Sequence, residues 1–263
     1  MHRIPHILIL FGLILASACA PNSPTQTPTL HPPTTVPSPA LAPSASGDQT
    51  QDKPESQTIT FSTPDGATIE GMLYGSGDTV VIFSVMGDCK RGWEDMADIV
   101  AQNGMTALTY QWRGCRDSGS VDEVEIQKFV DDLRGAIDFM RAQGAKKIIL
   151  AGASLGGCAS AKLTVESQAD GLIVIASPPS ISQWGFEIES PDLNTDIPKL
   201  FITAENDDTV PADATRELFD LAAEPKEWQI YPGTAHGTDL FEGESGAELQ
   251  QRILDFILVI ATD

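Results

Sequence analysis

The stretch Gly152-Ala153-Ser154-Leu155-Gly156 lies between two segments of different character. The apolar run Lys147–Ala151 before it predicts a buried strand, and the small residues Gly157–Ala161 after it predict the start of a helix. Glycines at both ends permit a sharp turn, because a Cβ there would clash. A serine at such a turn stands above the sheet at the N-terminus of the helix. The pattern therefore predicts a nucleophile elbow with Ser154 as the nucleophile.

A serine becomes a nucleophile only beside a base, and histidine is the usual one. The chain contains four histidines. Three of them, His2, His6 and His31, lie in N-terminal segments that we predict to precede the folded domain. If the domain uses serine–histidine chemistry, His236 is therefore the only candidate base.

The N-terminal residues 1–20 have the pattern of a secretory signal segment. Their apolar core, Ile7–Leu15, is shorter than the ~20 residues that a membrane-spanning helix needs. The following Ala16-Ser17-Ala18-Cys19 resembles a bacterial lipobox, which would leave Cys19 lipidated as the new N-terminus. The alternative is cleavage at the Ala-x-Ala-like site and a secreted soluble protein. Both alternatives predict a protein outside the cytoplasm, which touches the membrane only through an N-terminal lipid if at all.

Residues 21–57 hold nine of the eighteen prolines and no aromatic residue. Such a segment buries too little apolar surface to offset its ordering entropy, so we expect a disordered and extended tether. The remaining residues, 58–263, match the size of one single-core domain, and we expect it to be a monomer.

The net charge of -21 argues against binding to nucleic acid or to an anionic membrane surface. The cysteines form no C-x-x-C motif and no cluster with histidine, so we expect no metal site. Serine–histidine chemistry needs no cofactor, so we expect none. Cys89 and Cys115 lie in loops after neighbouring predicted strands and are a candidate disulfide pair. Cys158, among small residues, is expected to be a buried thiol.

Strand and helix patterns alternate along the domain. The predicted strands are 58–62, 68–74, 79–85, 105–112, 147–151, 171–176, 199–204 and 228–231, and the predicted helices are 93–102, 122–143, 157–167, 212–223 and 247–261. Buried strands that alternate with helices predict a mostly parallel sheet covered on both faces. The turn Thr63-Pro64-Asp65-Gly66 between the first two strands adds an N-terminal antiparallel hairpin.

The elbow serine, an acid after the seventh strand and a histidine after the last strand follow one another in the order Ser, Asp, His. With these three residues in this order, the chain resembles the α/β-hydrolase superfamily over the whole predicted domain. It is most similar to the compact esterase-like and dienelactone-hydrolase-like members, which have no large cap domain. The resemblance implies an α/β-hydrolase fold and catalysis by a Ser-His-Asp triad.

The motifs of that family select the two partners of Ser154. The pattern G-x-x-D-x-x-V-P fits Ala204–Pro211 with alanine in place of the glycine, which selects Asp207 and leaves Asp208 as the alternative. The pattern G-x-x-H fits Gly233 to His236. In this arrangement the carboxylate holds the imidazole in the tautomer that can accept the serine proton.

The resemblance also implies two backbone N–H donors for an oxyanion. One is Leu155, directly after the nucleophile, and the other falls in the loop after the third strand. The usual His-Gly dipeptide is absent there, and alignment of Ser84–Cys89 puts the donor at Gly87, or at Met86 or Asp88 if it slips by one residue.

A second departure from the family is Gln111–Ser118, where D-x-R-G-x-G-x-S becomes Q-x-R-G-x-R-x-S. Its Arg113, Gly114 and Ser118 are expected to be structural. Between residues 177 and 198 there is room for a short lid only. Its Trp184 and Phe186 either line an acyl pocket or pack a surface loop.

The sequence thus predicts an extracytoplasmic serine hydrolase, a carboxylesterase that cleaves small to medium carboxylic esters or related acyl compounds. A peptidase, thioesterase or acyltransferase would use the same triad, because substrate choice depends on pockets rather than on the triad. A tethered binding module that has lost activity is the alternative of a different class, and the altered oxyanion loop motivates it.

Overall fold

The computed structural model describes residues 55–85, 92–115 and 122–263, with the backbone alone at residue 85. The predicted signal segment and nearly all of the predicted tether lie outside these residues. So do Cys19, Cys89 and the predicted second oxyanion donor, Gly87, with its neighbours Met86 and Asp88.

One eight-stranded sheet forms the centre of the domain. Its strands are β1 (Ser56–Ser62), β2 (Thr68–Tyr74), β3 (Thr79–Val85), β4 (Thr106–Tyr110), β5 (Lys147–Ala153), β6 (Gly171–Ile175), β9 (Lys199–Ala204) and β10 (Lys226–Tyr231). They lie in the order β1-β2-β4-β3-β5-β6-β9-β10. The pairs β1–β2 and β2–β4 are antiparallel, and every other pair of neighbours is parallel. The sheet confirms the predicted fold class, with the N-terminal hairpin at one edge.

Helices cover both faces of the sheet. They are α1 (Glu94–Gln102), α2 (Glu123–Ile126), α3 (Phe129–Ala142), α4 (Leu155–Leu163), α5 (Ala212–Leu221) and α6 (Gly246–Thr262). Helices α3, α4 and α5 pack on one face, and α1 and α6 pack on the other. Within the part of the chain that the structure describes, no helix has the length and apolar character needed to cross a membrane.

The central strand β5 is buried on both of its faces. Ile148 and Leu150 pack into the core beneath α3 and α4, whereas Ile149 and Ala151 pack into the core beneath α1 and α6. Successive side chains of a strand point to opposite faces, so a continuous apolar run fits a strand covered on both sides. Ser154 follows directly after the last residue of this buried strand, Ala153.

The prediction of a single helix over residues 122–143 is wrong. Helix α2 ends at Ile126 and α3 begins at Phe129. The Asp122 carboxylate caps α2 by accepting hydrogen bonds from the N–H groups of Val124 and Glu125. Ile126 and Phe129 are both buried at a spacing of three, so the apolar pattern continues across the break and does not reveal it.

The segment 177–198 forms a small hairpin rather than a cap. Its strands β7 (Ser180–Ile181) and β8 (Phe186–Glu187) pair antiparallel. The rings of Trp184 and Phe186 lie 6.1 Å and 5.0 Å from the ring of Phe129 at the start of α3. Both aromatics therefore pack the hairpin against the core, which agrees with the second of the two predicted roles.

Arg113 joins the segment after β4 to two other parts of the fold. Its guanidinium contacts Asp65 in the turn of the β1–β2 hairpin and Asp132 on α3. The hydrogen bond from Arg113 holds the pKa of Asp65 below its usual range, whereas burial raises the pKa of Asp132 to about 6 against the opposing effect of Arg113. These contacts agree with the structural role expected of Arg113.

Candidate active site

Ser154 occupies the turn between β5 and α4. Its backbone has φ 54° and ψ −124°, a conformation that residues other than glycine rarely adopt. At Gly152 a Cβ would lie 2.2 Å from the carbonyl oxygen of Gly156 and 2.5 Å from the nitrogen of Gly157. Backbone atoms approach so closely here that only glycine fits. The local structure is the strand–turn–helix that the sequence predicts.

The hydroxyl of Ser154 faces His236. The Oγ of Ser154 and the Nε2 of His236 lie 2.9 Å apart. His236 follows β10 and directly precedes a 3₁₀ helix, Gly237–Glu242, and its side chain is 21% exposed. An imidazole at this distance can take the proton of the hydroxyl, provided that Nε2 carries none.

The carboxylate of Asp207 keeps the proton off the Nε2 of His236. Its Oδ2 lies 2.8 Å from the Nδ1 of His236, and its Oδ1 accepts hydrogen bonds of 2.9 Å from the N–H groups of Thr209 and Val210. A carboxylate can only accept, so the proton sits on Nδ1 and Nε2 is free to accept from Ser154. The alternative acid, Asp208, is exposed, and its carboxylate contacts the hydroxyl of Thr209 instead.

The sheet brings these residues together. Strands β9 and β10 are parallel neighbours, so the loops with Asp207 and His236 leave the same edge. Two backbone hydrogen bonds join the loops: Glu205 donates to the carbonyl of Tyr231 at 2.8 Å, and Asn206 donates to that of Gly233 at 3.0 Å. The separation of Asp207 from His236 is thus set by backbone contacts.

Leu155 is the first residue of α4, so its N–H has no acceptor in the preceding turn of the helix. Within the described residues no hydrogen bond occupies this N–H. It also belongs to the positive end of the helix dipole, which favours a developing negative charge. The first predicted oxyanion donor is therefore available, while the second, at Gly87, stays a prediction because it lies outside the described residues.

The two cysteines within the described residues, Cys115 and Cys158, are in different states. Cys158 on α4 is a free, buried thiol, and burial raises its pKa to about 12, as expected of a core cysteine. Cys115 is disulfide-bonded. Its predicted partner, Cys89, lies outside the described residues, so their pairing stays a prediction. The described residues contain no group of three side chains able to hold a metal ion.

Sequence reasoning missed one residue beside the elbow. Ser177, which follows β6, places its hydroxyl 2.8 Å from the carbonyl oxygen of Ser154. Ser177 stands next to Pro178-Pro179 at the start of the predicted lid, and nothing in the local sequence marks it. The one signal was Gly157, whose small size makes room for the Ser177 hydroxyl.

The sequence is similar to those of known proteins. The family described as "Serine aminopeptidase, S33" matches residues 76–189. Two uncharacterized proteins of Mycobacterium tuberculosis, from strains CDC 1551 and H37Rv, are each 24% identical over 227 residues, which cover 76% of this chain and 80% of each relative.

The structure is also similar to solved structures of other proteins. The Pyrococcus furiosus esterase Pf2001 has a TM-score of 0.64 and 14% identity, covering 78% of this chain and 92% of the esterase. An alpha-beta serine hydrolase homologue from Coxiella burnetii has a TM-score of 0.59 and 19% identity, covering 76% of this chain and 96% of that one. The chain has the α/β-hydrolase fold, and the predicted resemblance to that superfamily is confirmed.

Proposed function

We propose that this α/β-hydrolase-fold protein is a serine hydrolase outside the cytoplasm, a carboxylesterase that cleaves small to medium carboxylic esters. The observation that carries the proposal is the continuous hydrogen-bonded chain from Ser154 through His236 to Asp207, with distances of 2.9 Å and 2.8 Å. A nucleophile, a base and the group that orients the base are the parts that acyl transfer requires.

The reaction proceeds in two stages. The Oγ of Ser154 attacks the ester carbonyl while the Nε2 of His236 takes the hydroxyl proton, and Asp207 stabilises the imidazolium that forms. The N–H of Leu155 and the predicted donor Gly87 stabilise the tetrahedral oxyanion. Collapse of this intermediate breaks the bond to the alcohol oxygen, which leaves with the proton from His236.

Water completes the cycle on the acyl-enzyme. His236 takes a proton from the water, whose oxygen attacks the acyl carbonyl, and the same N–H groups stabilise the second oxyanion. Release of the carboxylic acid returns the proton to the Oγ of Ser154. Each proton passes through the Nε2 of His236, so loss of this one nitrogen stops both stages.

A fluorophosphonate probe tests the proposal, because it reacts with an activated serine irrespective of the substrate. We expect labelling of the full chain and its loss in Ser154→Ala and in His236→Ala. Ser160→Ala is the matched control, because Ser160 is a buried serine on α4 whose hydroxyl contacts the carbonyl of Gly156 instead. A folded wild type that takes no label would favour the inactive binding module.

The second candidate function is a peptidase, since the matching family is described as a serine aminopeptidase. Similarity to the Pyrococcus esterase supports the carboxylesterase instead. Hydrolysis of short p-nitrophenyl esters, compared with aminoacyl arylamides at equal enzyme concentration, separates the two. A kcat/KM that is higher for the arylamides would replace the carboxylesterase with a peptidase.

The proposed location rests on residues 1–20 and on Cys19. A lipid on Cys19 and the tether 21–57 would hold the domain outside the cell membrane. Incorporation of labelled palmitate by the full chain expressed in a bacterium, and its loss in Cys19→Ser, is the expected result for an anchored protein. Release of unlabelled protein into the medium would favour the secreted soluble form.

A further inference from the structure

The side chain of Ser177 is buried beneath the elbow. Its exposed fraction is 0%, and its Oγ lies 2.8 Å from the carbonyl oxygen of Ser154 and 3.0 Å from that of Ile175. A hydroxyl has one proton, so it donates to one of these oxygens at a time. The contact with Ser154 is the shorter of the two.

The end of β6 holds both backbone polar groups of the nucleophile. The N–H of Ser154 donates to the carbonyl of Ile175 at 2.8 Å, and the carbonyl of Ser154 accepts from Ser177. The same carbonyl accepts the first hydrogen bond within the helix, from the N–H of Cys158, at 3.1 Å. A strained conformation such as that of Ser154 persists only where the surroundings fix it, and these contacts fix it.

The carbonyl of Ser154 and the N–H of Leu155 belong to one planar peptide group. Whatever sets the direction of the carbonyl also sets the direction of the N–H on the other side of the plane. A hydrogen bond donated to the carbonyl oxygen also polarises the N–H and strengthens it as a donor. The hydroxyl of Ser177 thus acts on the N–H that faces the proposed oxyanion.

Gly157 and Ser177 fit one another. A Cβ at Gly157 would lie 2.0 Å from the Oγ of Ser177 and 3.0 Å from its Cβ. Glycine at position 157 is therefore the residue that leaves room for the hydroxyl. The elbow pattern ends at Gly156. A Cβ at Gly157 would also lie 3.0 Å from the carbonyl oxygen of Gly152, but the Oγ of Ser177 is the nearest atom and the closest clash.

We propose that Ser177 is a positioning residue that fixes and polarises the N–H of Leu155 as an oxyanion donor. The proposal rests on the proposed function, because it concerns the same acyl-transfer site. Ser177 acts through the peptide group of Ser154 and Leu155. Its contribution therefore appears in the transition state, where the oxyanion carries charge, and much less in the binding of the uncharged ester.

The test compares Ser177→Ala with Ser160→Ala in the full chain. Both changes remove a buried serine hydroxyl that donates to a backbone carbonyl near the elbow, but Ser160 serves Gly156 at 2.9 Å. For Ser177→Ala we expect kcat to fall about tenfold with KM changed less than about twofold, because a weakened oxyanion donor acts on the transition state. For Ser160→Ala we expect both constants to change less than about twofold.

An arylboronic acid gives the second readout, because its adduct with Ser154 is tetrahedral and places an oxygen where the oxyanion forms. Its inhibition constant should rise in Ser177→Ala by the same factor as kcat falls. Ser177→Cys, which keeps a weak S–H donor, should give an intermediate kcat and provides a second variant if Ser177→Ala does not fold. Rates are normalised to the fraction of reactive serine, measured by burst titration.

The possible failures differ from one another. A folded wild type with neither esterase activity nor labelling would overturn the proposed function and this inference with it. An active wild type in which Ser177→Ala lowers thermal stability but leaves kcat and the boronate constant unchanged would overturn the inference alone. The same holds if Ser160→Ala lowers kcat as much as Ser177→Ala does.

Discussion

The Oδ2 of Asp207 lies 2.8 Å from the Nδ1 of His236, and the side chain of Asp207 has no exposed surface. A buried carboxylate is costly unless its oxygens are paired. The other oxygen accepts the N–H groups of Thr209 and Val210, so the carboxylate is satisfied without water. The Oδ2 is directed at the imidazole, so Asp207 can orient His236 and stabilise its protonated form.

Asp207→Asn should reduce kcat by about 10⁴-fold, because an amide can donate to Nδ1 and so favours the wrong imidazole tautomer. The side chains are nearly equal in size, so the fold should survive. Steady-state hydrolysis of a p-nitrophenyl ester measures the loss, and circular dichroism checks the fold.

Asp208→Asn is the matched control, since Asp208 is the next residue, is exposed and has a carboxylate that contacts only the hydroxyl of Thr209 among the described residues. We expect its kcat to stay within about twofold of wild type, as for surface changes in general. A large loss in Asp208→Asn with an active Asp207→Asn would reverse the assignment of the acid.

Gly152→Ala should prevent the elbow from forming. The new Cβ would lie 2.2 Å from the carbonyl oxygen of Gly156, which is backbone and cannot rotate away. We expect a loss of about 3 kcal/mol or more in the free energy of unfolding and no fluorophosphonate labelling. Urea denaturation measures the first quantity.

Gly144→Ala is the control that separates the steric clash expected in Gly152→Ala from the effect of replacing a glycine as such. Gly144 has φ +96°, and a Cβ there would meet nothing within 4 Å. Only conformational strain of about 1 kcal/mol is expected, with labelling retained. Equal losses of stability in the two variants would show that the close approach at Gly152 is unimportant.

Much of the architecture was predictable because the signals are local. The central strands are largely apolar, and β3 and β9 have the bounds that the sequence predicts. The elbow residue and its two partners were predictable because glycine, proline and the single histidine of the domain fix their positions in short motifs. The structure then brings these three side chains within hydrogen-bonding distance.

What the sequence could not reveal depends on contacts between distant segments. The break between α2 and α3 leaves the apolar spacing intact, so periodicity alone favours one helix. Ser177 meets Ser154 only because β6 lies beside β5 in the sheet. A serine next to two prolines predicts a loop, and its burial follows from the fold rather than from its neighbours.

Cys158 should resist alkylation in the folded protein. Burial raises the pKa of its thiol to about 12, so the reactive thiolate is scarce at pH 8. We expect carbamidomethylation of Cys158 by iodoacetamide to be about 10³-fold slower than that of a thiol introduced by Ser180→Cys, which lies at an exposed position. Peptide mapping by mass spectrometry measures both rates, and 8 M urea should remove the difference. Rapid modification of native Cys158 would contradict the buried environment.

Lys199 is a buried cation, with an exposed fraction of 0%. Its Nζ donates to three carbonyls, those of Thr195, Ile197 and Ala223, at 2.6, 2.9 and 3.1 Å. Burial lowers the pKa of Lys199. The three hydrogen bonds of its ammonium connect the first residue of β9 to the segment before this strand and to Ala223, which follows α5. Lys199 thus stabilises the strand that leads to Asp207.

Lys199→Met keeps the length of the side chain and removes every donor, which leaves three carbonyls short of a partner. We expect a loss of about 3 kcal/mol in the free energy of unfolding from urea denaturation. Lys146→Met is the control, because Lys146 pairs with Asp78 at the surface, where an ion pair contributes little to stability. Since Lys199 lies at the opposite end of β9 from the active site, the remaining folded Lys199→Met protein should label with fluorophosphonate at the wild-type rate. A slower rate in that folded fraction would mean that Lys199 also affects the position of Asp207.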